Sequence, residues 1–561
     1  MDLHLILSSI HVEWMDRSPS PSKKKKKKRK KEGKKEKRRK KKGRINQAQT
    51  RPAATMERHA KAVSLVSAAV KGFFEKKVPY RINHGSTNST RPLRRDRVST
   101  VDISSLNNVV EVNRSNLTAL VEPNVPMDRL VEATLAEGLI PPIVMEFPGI
   151  TAGGGFAGTA GESSSFKHGF FDDTINEVEM VLANGDVVKA SRSEKADLFK
   201  GAAGSVGTLG ITTLMELQLK VAKPFVKATY HRARSVQEAV DKVREETRNP
   251  GNDYVDGILF SKDHGVVITG TLADELPDSH HVQTFSGAWD PWYYLHVADK
   301  TRSADGPVTD YIPLAEYLFR YDRGGFWVGA GAFEYFKKLV PFNRYTRWFL
   351  DDFLHTRMMY RALHSSGESA RFVVQDLALP YSTASDFVDF TSDNLGIWPL
   401  WLCPLRRPQT PTFHPHTTTP APIKLEREDE DMLNIGVWGW GPADQAVFAS
   451  KNRELETRLR ELGGMKWLYA HAYYGEDEFW DIYGREWYDG LRHKYQATAL
   501  PSVYDKVKVG AGAKVETGES KGWRPWLKAC WPVGGLYGIR QAIKTGDYNL
   551  HRHAKWKHQT S

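Results

Sequence analysis

Apolar and polar residues alternate with a period of two from Ile211 to Lys220, where Met215, Leu217 and Leu219 interleave with Glu216, Gln218 and Lys220. That period belongs to a strand with one face buried, so the segment predicts an antiparallel strand wetted on one side. Two short apolar runs, Val178 to Ala183 and Val187 to Ala190, flank Asn184-Gly185. Asn-Gly between such runs predicts a hairpin whose two central residues take positive φ. Helical spacing appears elsewhere. Val63, Val66, Val70, Phe73 and Phe74 mark one stripe of a helix that starts sensibly at Met56, and Ser235 to Arg248 reads as a charged amphipathic helix.

Between these elements lie stretches of nearly bare backbone. Six glycines fall between Gly149 and Gly161, and Gly201, Gly204, Gly207 and Gly210 precede the alternating strand. Glycine is worth its entropy where φ is positive or where a ligand touches the main chain, and successive exposed N–H groups form an anion site. Gly153, Gly155 and Gly158 satisfy G-x-G-x-x-G. The dinucleotide fingerprint also needs an amphipathic helix after it, and Thr159 to Gly169 has no helical period, so that reading is rejected. Upstream, Arg81-Ile-Asn-His-Gly-Ser-Thr-Asn-Ser-Thr-Arg91 is a second polar loop of small residues suited to phosphate oxygens.

The order of polar loop, glycine-rich run, Asn-Gly hairpin and glycine-punctuated turn before a strand resembles the flavin-binding domain of the vanillyl-alcohol oxidase and p-cresol methylhydroxylase superfamily. Within it, Gly158-Thr-Ala-Gly-Glu-Ser-Ser-Ser-Phe-Lys-His-Gly-Phe-Phe171, Tyr254 to Phe260, Tyr311 to Leu314, Val374-Gln-Asp376, Trp398 to Pro404 and Leu500 to Lys506 are similar to landmarks of the Δ24-sterol reductase (diminuto-like) family. The resemblance implies a two-subdomain FAD-binding domain of the p-cresol methylhydroxylase type over residues 56–225. An α+β substrate domain follows over 226–510. It also implies that His84, Gly85, Ser86, Thr87, Asn88 and Ser89 form the first pyrophosphate loop. Thr151, Gly153, Gly154, Gly155, Gly158, Thr159, Gly161, Glu162 and Ser163 would wrap FAD, with Gly207, Thr208, Gly210 and Ile211 closing the site. Many relatives attach flavin covalently through a histidine at the position of Asn88. An amide cannot make that bond, so the expectation is non-covalent FAD, unless His84 serves from a shifted register. NADPH is the implied reductant and a sterol the implied substrate.

Charge changes the picture at one end. Eighteen Lys or Arg against Glu32 and Glu36 between Lys23 and Arg44 carry +16, so a net charge of +13 leaves the rest at −3. Residues 1–55 are therefore expected to be a disordered Lys-rich tail, with the working chain starting at Met56, and the basic balance is not taken as a nucleic-acid function. Two cysteines, Cys403 and Cys530, make no disulfide framework, and no cluster proposes a metal. No apolar run reaches the roughly 18 residues of a spanning helix. Peripheral membrane contact through the stripe of Ala60 to Phe74 is the alternative to its packing on its own domain. The family resemblance places the chain at the cytosolic face of the endoplasmic reticulum membrane, or else in the cytoplasm.

Fifteen of sixteen tryptophans occur from Trp289 onward, which marks a change of domain. A sterol needs a long, flat, dry slot, and Trp289/Trp292, Trp398/Trp401 and Trp438/Trp440 are candidate walls. Arg406 to Pro422 with the acidic run to Asp431 reads as a surface insertion near 406–431, and 511–561 as a C-terminal extension peripheral to catalysis. An isolated alkene has no carbonyl to stabilise a carbanion, so reduction needs an acid placed in a dry pocket opposite a hydride donor. Tyr469, His471, Tyr473, Glu476, Glu478, Tyr504, Asp505 and Lys506 are the candidates, and the sequence assigns none. Two other readings stay open: an oxidase or dehydrogenase of an alcohol, sugar lactone or hydroxy acid on the same scaffold, and a non-enzymatic protein acting through the Lys-rich tail.

Overall fold

The computed structural model describes residues 33–85, 99–417, 431–509 and 531–558, with side chains from residue 54. Residues 1–55 form one unit and 56–561 another. In the first, residues 33–55 are helical, the start of a helix Gly33–Glu75. Lys and Arg are good helix formers, and extending an existing helix needs no new nucleus.

In the second unit, short strands β1 (Arg81–Asn83) and β2 (Thr100–Asp102) pair in parallel. Strands β3 (Val109–Asn113) and β4 (Thr118–Val121), then β5 (Leu139–Ile140), lead into the glycine-rich run. The hairpin follows as β6 (Ile175–Leu182) and β7 (Val187–Ser191), and then come β8 (Gly210–Gln218) and β9 (Lys220–Val221). The predicted alternation along β8 holds, with Met215 and Leu217 buried and Glu216 and Gln218 half-buried. Five strands make an antiparallel sheet in the order β3-β4-β8-β6-β7. Only Gly185 in the hairpin turn has positive φ, at 93°. The Asn184 side chain instead accepts from the Asp186 N–H at 3.0 Å, an Asx turn that spares Asn184 a left-handed backbone. The stripe of the first helix is internal: Val63, Val66 and Val70 are buried. His59, one turn earlier, is held between Glu122 and Glu179 at 2.9 and 3.1 Å.

A second sheet begins at residue 225 and is ordered β13-β10-β12-β11-β15-β16-β14-β17. Its strands are β10 (Phe225–Ala233), β11 (Tyr254–Ser261), β12 (His264–Ala273), β13 (Val308–Pro313), β14 (Phe372–Pro380), β15 (Leu400–Leu405), β16 (Met432–Trp440) and β17 (Met465–Lys466). Strand periodicity divides its labour. Val373, Leu377, Leu402, Leu433, Ile435 and Val437 share a core with helices Val236–Thr247, Tyr381–Leu395 and Gln445–Glu461. Val374, Asp376, Trp401, Asn434 and Trp438 occupy the alternate positions on the other face. The predicted helix at Ser235 is present, capped by the Ser235 hydroxyl accepting from the Glu238 N–H at 3.1 Å.

Two later segments are anchored by aromatic and charged contacts. The start of the predicted surface insertion is docked: Phe413 is 1 % exposed against Tyr483, Trp487 and Tyr488, and His414 bonds Asp172 at 2.8 Å. An aromatic ring in a proline-rich loop carries enough apolar area to anchor it. Residues 418–430 lie outside the described residues. Near the other end, helix Val533–Ile543 packs by Gly538 against Ala362, and Trp556 meets Phe319 at 4.9 Å. Asp351, His355 and His551 approach within 4.8 Å of one another there. Arg323 bonds Asp351 and Lys557 meets His551 at 3.3 Å, so the group is a charge network tying this segment down.

Candidate functional site

The glycine-rich run folds as a single turn of helix, Ala152–Ala157, capped by Thr151, whose hydroxyl accepts from the Gly154 N–H at 3.2 Å. Gly153 and Gly155 donate their N–H groups to the Pro123 and Thr151 carbonyls at 2.8 and 2.9 Å. A Cβ at Gly153 would stand 2.7 Å from Pro123 Cβ, and one at Gly155 2.5 Å from Met145 Cε. These glycines are thus required first by the protein's own packing, and what they leave on the surface is main chain. The loops are held in costly shapes. Thr159 and Val206 have φ of 51° and 46°, strain of about 1–3 kcal/mol each for side-chain-bearing residues. Each is gripped from the C-terminal part of the chain: Trp467 Nε1 donates to the Thr159 carbonyl at 2.8 Å and Lys506 Nζ to that of Val206 at 2.9 Å.

These loops form one side of a cavity of about 1690 Å³, and the open face of the second sheet forms the other. A pocket for one small ligand is roughly 300–1,000 Å³, so this volume suits a large cofactor together with a substrate. His84, Gly85, Thr151, Gly153, Gly154, Gly155, Gly158, Gly161, Glu162, Gly207, Gly210 and Ile211 line it. Thr159, Ser163 and Thr208 do not. Ser163 gives its carbonyl to the Val255 N–H, and the Thr208 hydroxyl accepts from Tyr488 at 2.7 Å, so both are structural ties. Ser86, Thr87, Asn88 and Ser89 lie outside the described residues. Arg81, Arg361, Lys506 and Lys508 add positive charge to the wall. Burial lowers the pKa of His84, which favours neutral imidazole.

The second sheet supplies an acid. Asp376 is buried on β14, with Tyr469 donating its hydroxyl to Oδ2 and Asn434 its amide to Oδ1 at 3.0 Å. Burial pushes its pKa up to about 6 against the pull of those two hydrogen bonds. Glu146 and Glu162 line the same cavity and are hydrogen-bonded to each other. Burial raises both, and the neighbouring Glu146 carboxyl raises Glu162 further, so a proton stays on Glu162 and is shared with its partner. Glu146 Oε1 and Glu162 Oε2 are buried without a hydrogen-bond partner. Of the acids read from the sequence, Tyr469, His471, Asp505 and Lys506 line the cavity. Tyr473 does not, and its N–H serves Glu456; Glu478 pairs with Arg453, and Tyr504 bonds the Tyr474 carbonyl. Asp376 was present in the sequence as part of Val374-Gln-Asp376. Nothing in the residue order placed it opposite the glycine loops, and Glu146 carried no signal at all.

Aromatic rings continue from Asp376. Phe326 lies 5.4 Å from Trp401 and 4.5 Å from Trp438, and Phe147 packs against both Phe326 and Tyr360. The result is a slot lined by tilted aromatic rings. Of the candidate tryptophan pairs, one member of each of two pairs lines it, Trp401 and Trp438. Trp292 is buried under Phe333 and Phe342 instead.

The FAD binding domain family matches residues 58–191. The Delta(24)-sterol reductase of Homo sapiens is 30% identical over 413 residues, 72% of this chain and 76% of the human protein. That of Arabidopsis thaliana is 28% identical over 457 residues, covering 76% and 80%. The Bacillus subtilis glycolate oxidase subunit GlcD matches over 130 residues only, at 35% identity and 22% of this chain. The cavity fits FAD by its volume, by main-chain walls that admit a diphosphate, and by unpartnered carboxyl oxygens suited to a ring carrying both donors and acceptors.

Proposed function

The chain belongs to the Δ24-sterol reductase family and is an FAD-dependent oxidoreductase; from that premise we propose that it reduces the side-chain Δ24 double bond of a sterol with NADPH. The observation that carries this reading is one cavity lined by the glycine loops, by the aromatic rings Phe326, Trp401 and Trp438, and by Asp376. His84, Gly85, Gly207 and Lys506 would hold the diphosphate of non-covalent FAD, and Glu146 and Glu162 would meet the polar groups of its ring. FAD, once bound and reduced by NADPH, would supply the hydride. Asp376 supplies the proton. Burial holds its pKa up at about 6, so it keeps a proton in the mildly acidic range and a fraction of one near neutral pH, and Tyr469 and Asn434 stabilise the carboxylate left after the proton goes to the alkene. Positive charge then gathers on the tertiary carbon, where the rings of Trp401 and Trp438 exclude water. One NADPH and one proton are consumed for each alkene reduced.

The test begins with the absorption spectrum before and after acid precipitation. Yellow colour released to the supernatant supports non-covalent FAD, whereas colour in the pellet points to His84. NADPH is then added anaerobically, followed by a Δ24 sterol. Sterol-dependent reoxidation with a product two mass units heavier supports the proposal; reoxidation only by air refutes it.

A further inference from the structure

One surface of the second sheet's domain carries more apolar side chain than its packing uses. Helix Arg344–Phe349 buries none of its residues. Tyr345 is 73 % exposed, Phe349 52 % and Leu339 49 %, and Trp289, stacked on Trp348 at 4.6 Å, is also exposed. Basic residues are interleaved with these rings. Lys337, Lys338, Arg344 and Arg347 stand against a single acid, Glu334, between residues 334 and 349. Arg344 lies over Trp289 at 5.6 Å and Arg347 over Phe342 at 4.9 Å.

A second cavity of about 500 Å³ adjoins this surface. Val340 and Phe342 line its outer side, Phe333 and Trp398 its walls, and Trp438 belongs to both this cavity and the main one.

We infer that this face docks on a lipid bilayer and that the second cavity passes the substrate from the bilayer to the aromatic slot. Aromatic rings with interspersed Lys and Arg suit the boundary between anionic headgroups and acyl chains. The same charge disfavours a second copy as occupant, since a two-fold contact would set these cations against themselves. The stripe on Ala60 to Phe74 is excluded from this role because Val63, Val66 and Val70 are buried. The passage of substrate rests on the sterol reading above, while the docking does not.

The test uses the full chain and phosphatidylcholine vesicles, with and without phosphatidylserine. About 0.5 M salt screens the Lys-rich residues 23–44. Binding is read by sedimentation and by tryptophan quenching with brominated lipid. The double variant Tyr345→Glu, Phe349→Glu is compared with Val221→Glu, another exposed apolar position. The double variant is expected to lose about tenfold or more in vesicle partition, with an unchanged melting temperature, while Val221→Glu binds as wild type. Sterol carried by cyclodextrin should be turned over equally by all three, and vesicle-borne sterol more slowly by the double variant alone. Wild-type protein that ignores vesicles, or a double variant that binds them normally, overturns the inference, as does concentration-dependent dimerisation that the double variant abolishes. Absence of turnover with either delivery overturns the sterol reading instead and leaves the binding result standing.

Discussion

Replacing Asp376 by Asn should make the protein more stable and far less active, an opposition that a merely structural carboxylate would not produce. The native pKa is raised from 3.8 to about 6 by burial. Below pH 3.8 both folded and unfolded states hold the proton and the group costs nothing. As pH rises from 3.8 to about 6 the unfolded chain ionises while the folded one does not, so stability falls, and above 6 the penalty is constant. At ~1.4 kcal/mol per pH unit the full penalty is roughly 3 kcal/mol. Asn removes it, keeps an acceptor for Tyr469, and loses some of the contact with Asn434. Thermal melts should therefore show Asp376→Asn more stable than wild type at pH 8 by a few degrees, with the difference shrinking towards pH 4. Stopped-flow flavin absorbance separates the two half-reactions. Reduction by NADPH should be unchanged, while sterol-dependent reoxidation falls by about 10²–10⁴, the usual worth of a general acid. In wild type that reoxidation should decline as pH rises above about 6. A variant that reoxidises within a few-fold of wild type, or that is destabilised equally at both pH values, refutes the assignment.

Lys466 and Glu456 form an ion pair at 2.8 Å with both side chains fully buried; Lys466→Met leaves the buried Glu456 with only the Tyr473 N–H and the more distant Arg453 and should cost about 3–5 kcal/mol in urea unfolding. His59 has its pKa raised to about 9, its bonds to Glu122 and Glu179 outweighing the effect of burial. Its stabilisation, roughly 3 kcal/mol, is complete below pH 6.5 and lost as pH rises through 9, so His59→Gln should flatten the dependence of melting temperature on pH between 7 and 10. Gly153→Ala drives a Cβ to 2.7 Å from the rigid Pro123 ring and should lower stability by about 1–3 kcal/mol and leave less FAD bound per chain. Tyr488→Phe leaves Thr208 and the Val503 N–H without their shared hydroxyl, so it should cost about 1–3 kcal/mol with little change in turnover of the bound sterol.

Local pattern was enough for the Asn184-Gly185 hairpin, for β8 and for the helix at Ser235. The alternation of Met215, Leu217 and Leu219 identifies β8 because a period of two can bury one face only as a strand. Ser235 marks a helix start because its hydroxyl satisfies an N–H the helix leaves free. The glycine run was legible as a site, yet its reason was only half visible: Gly153 and Gly155 are bare because Pro123 and Met145 press on them, and pressure from residues distant in sequence leaves no periodic trace. The stripe of Val63, Val66 and Val70 shows the converse limit, since amphipathicity states that a face is covered and not by what. The sequence by itself determined the Asn-Gly hairpin, β8 and the helix at Ser235, which follow from contacts within a few residues, and it showed that the cofactor loops are bare without showing why. Only the tertiary structure decided that Asp376 faces those loops, that Glu146 meets Glu162, and that Trp401 and Trp438 line the slot. Those pairings join residues up to hundreds of positions apart, and their chemistry, above all a carboxyl whose pKa is raised to about 6, comes from burial that the packed molecule alone creates.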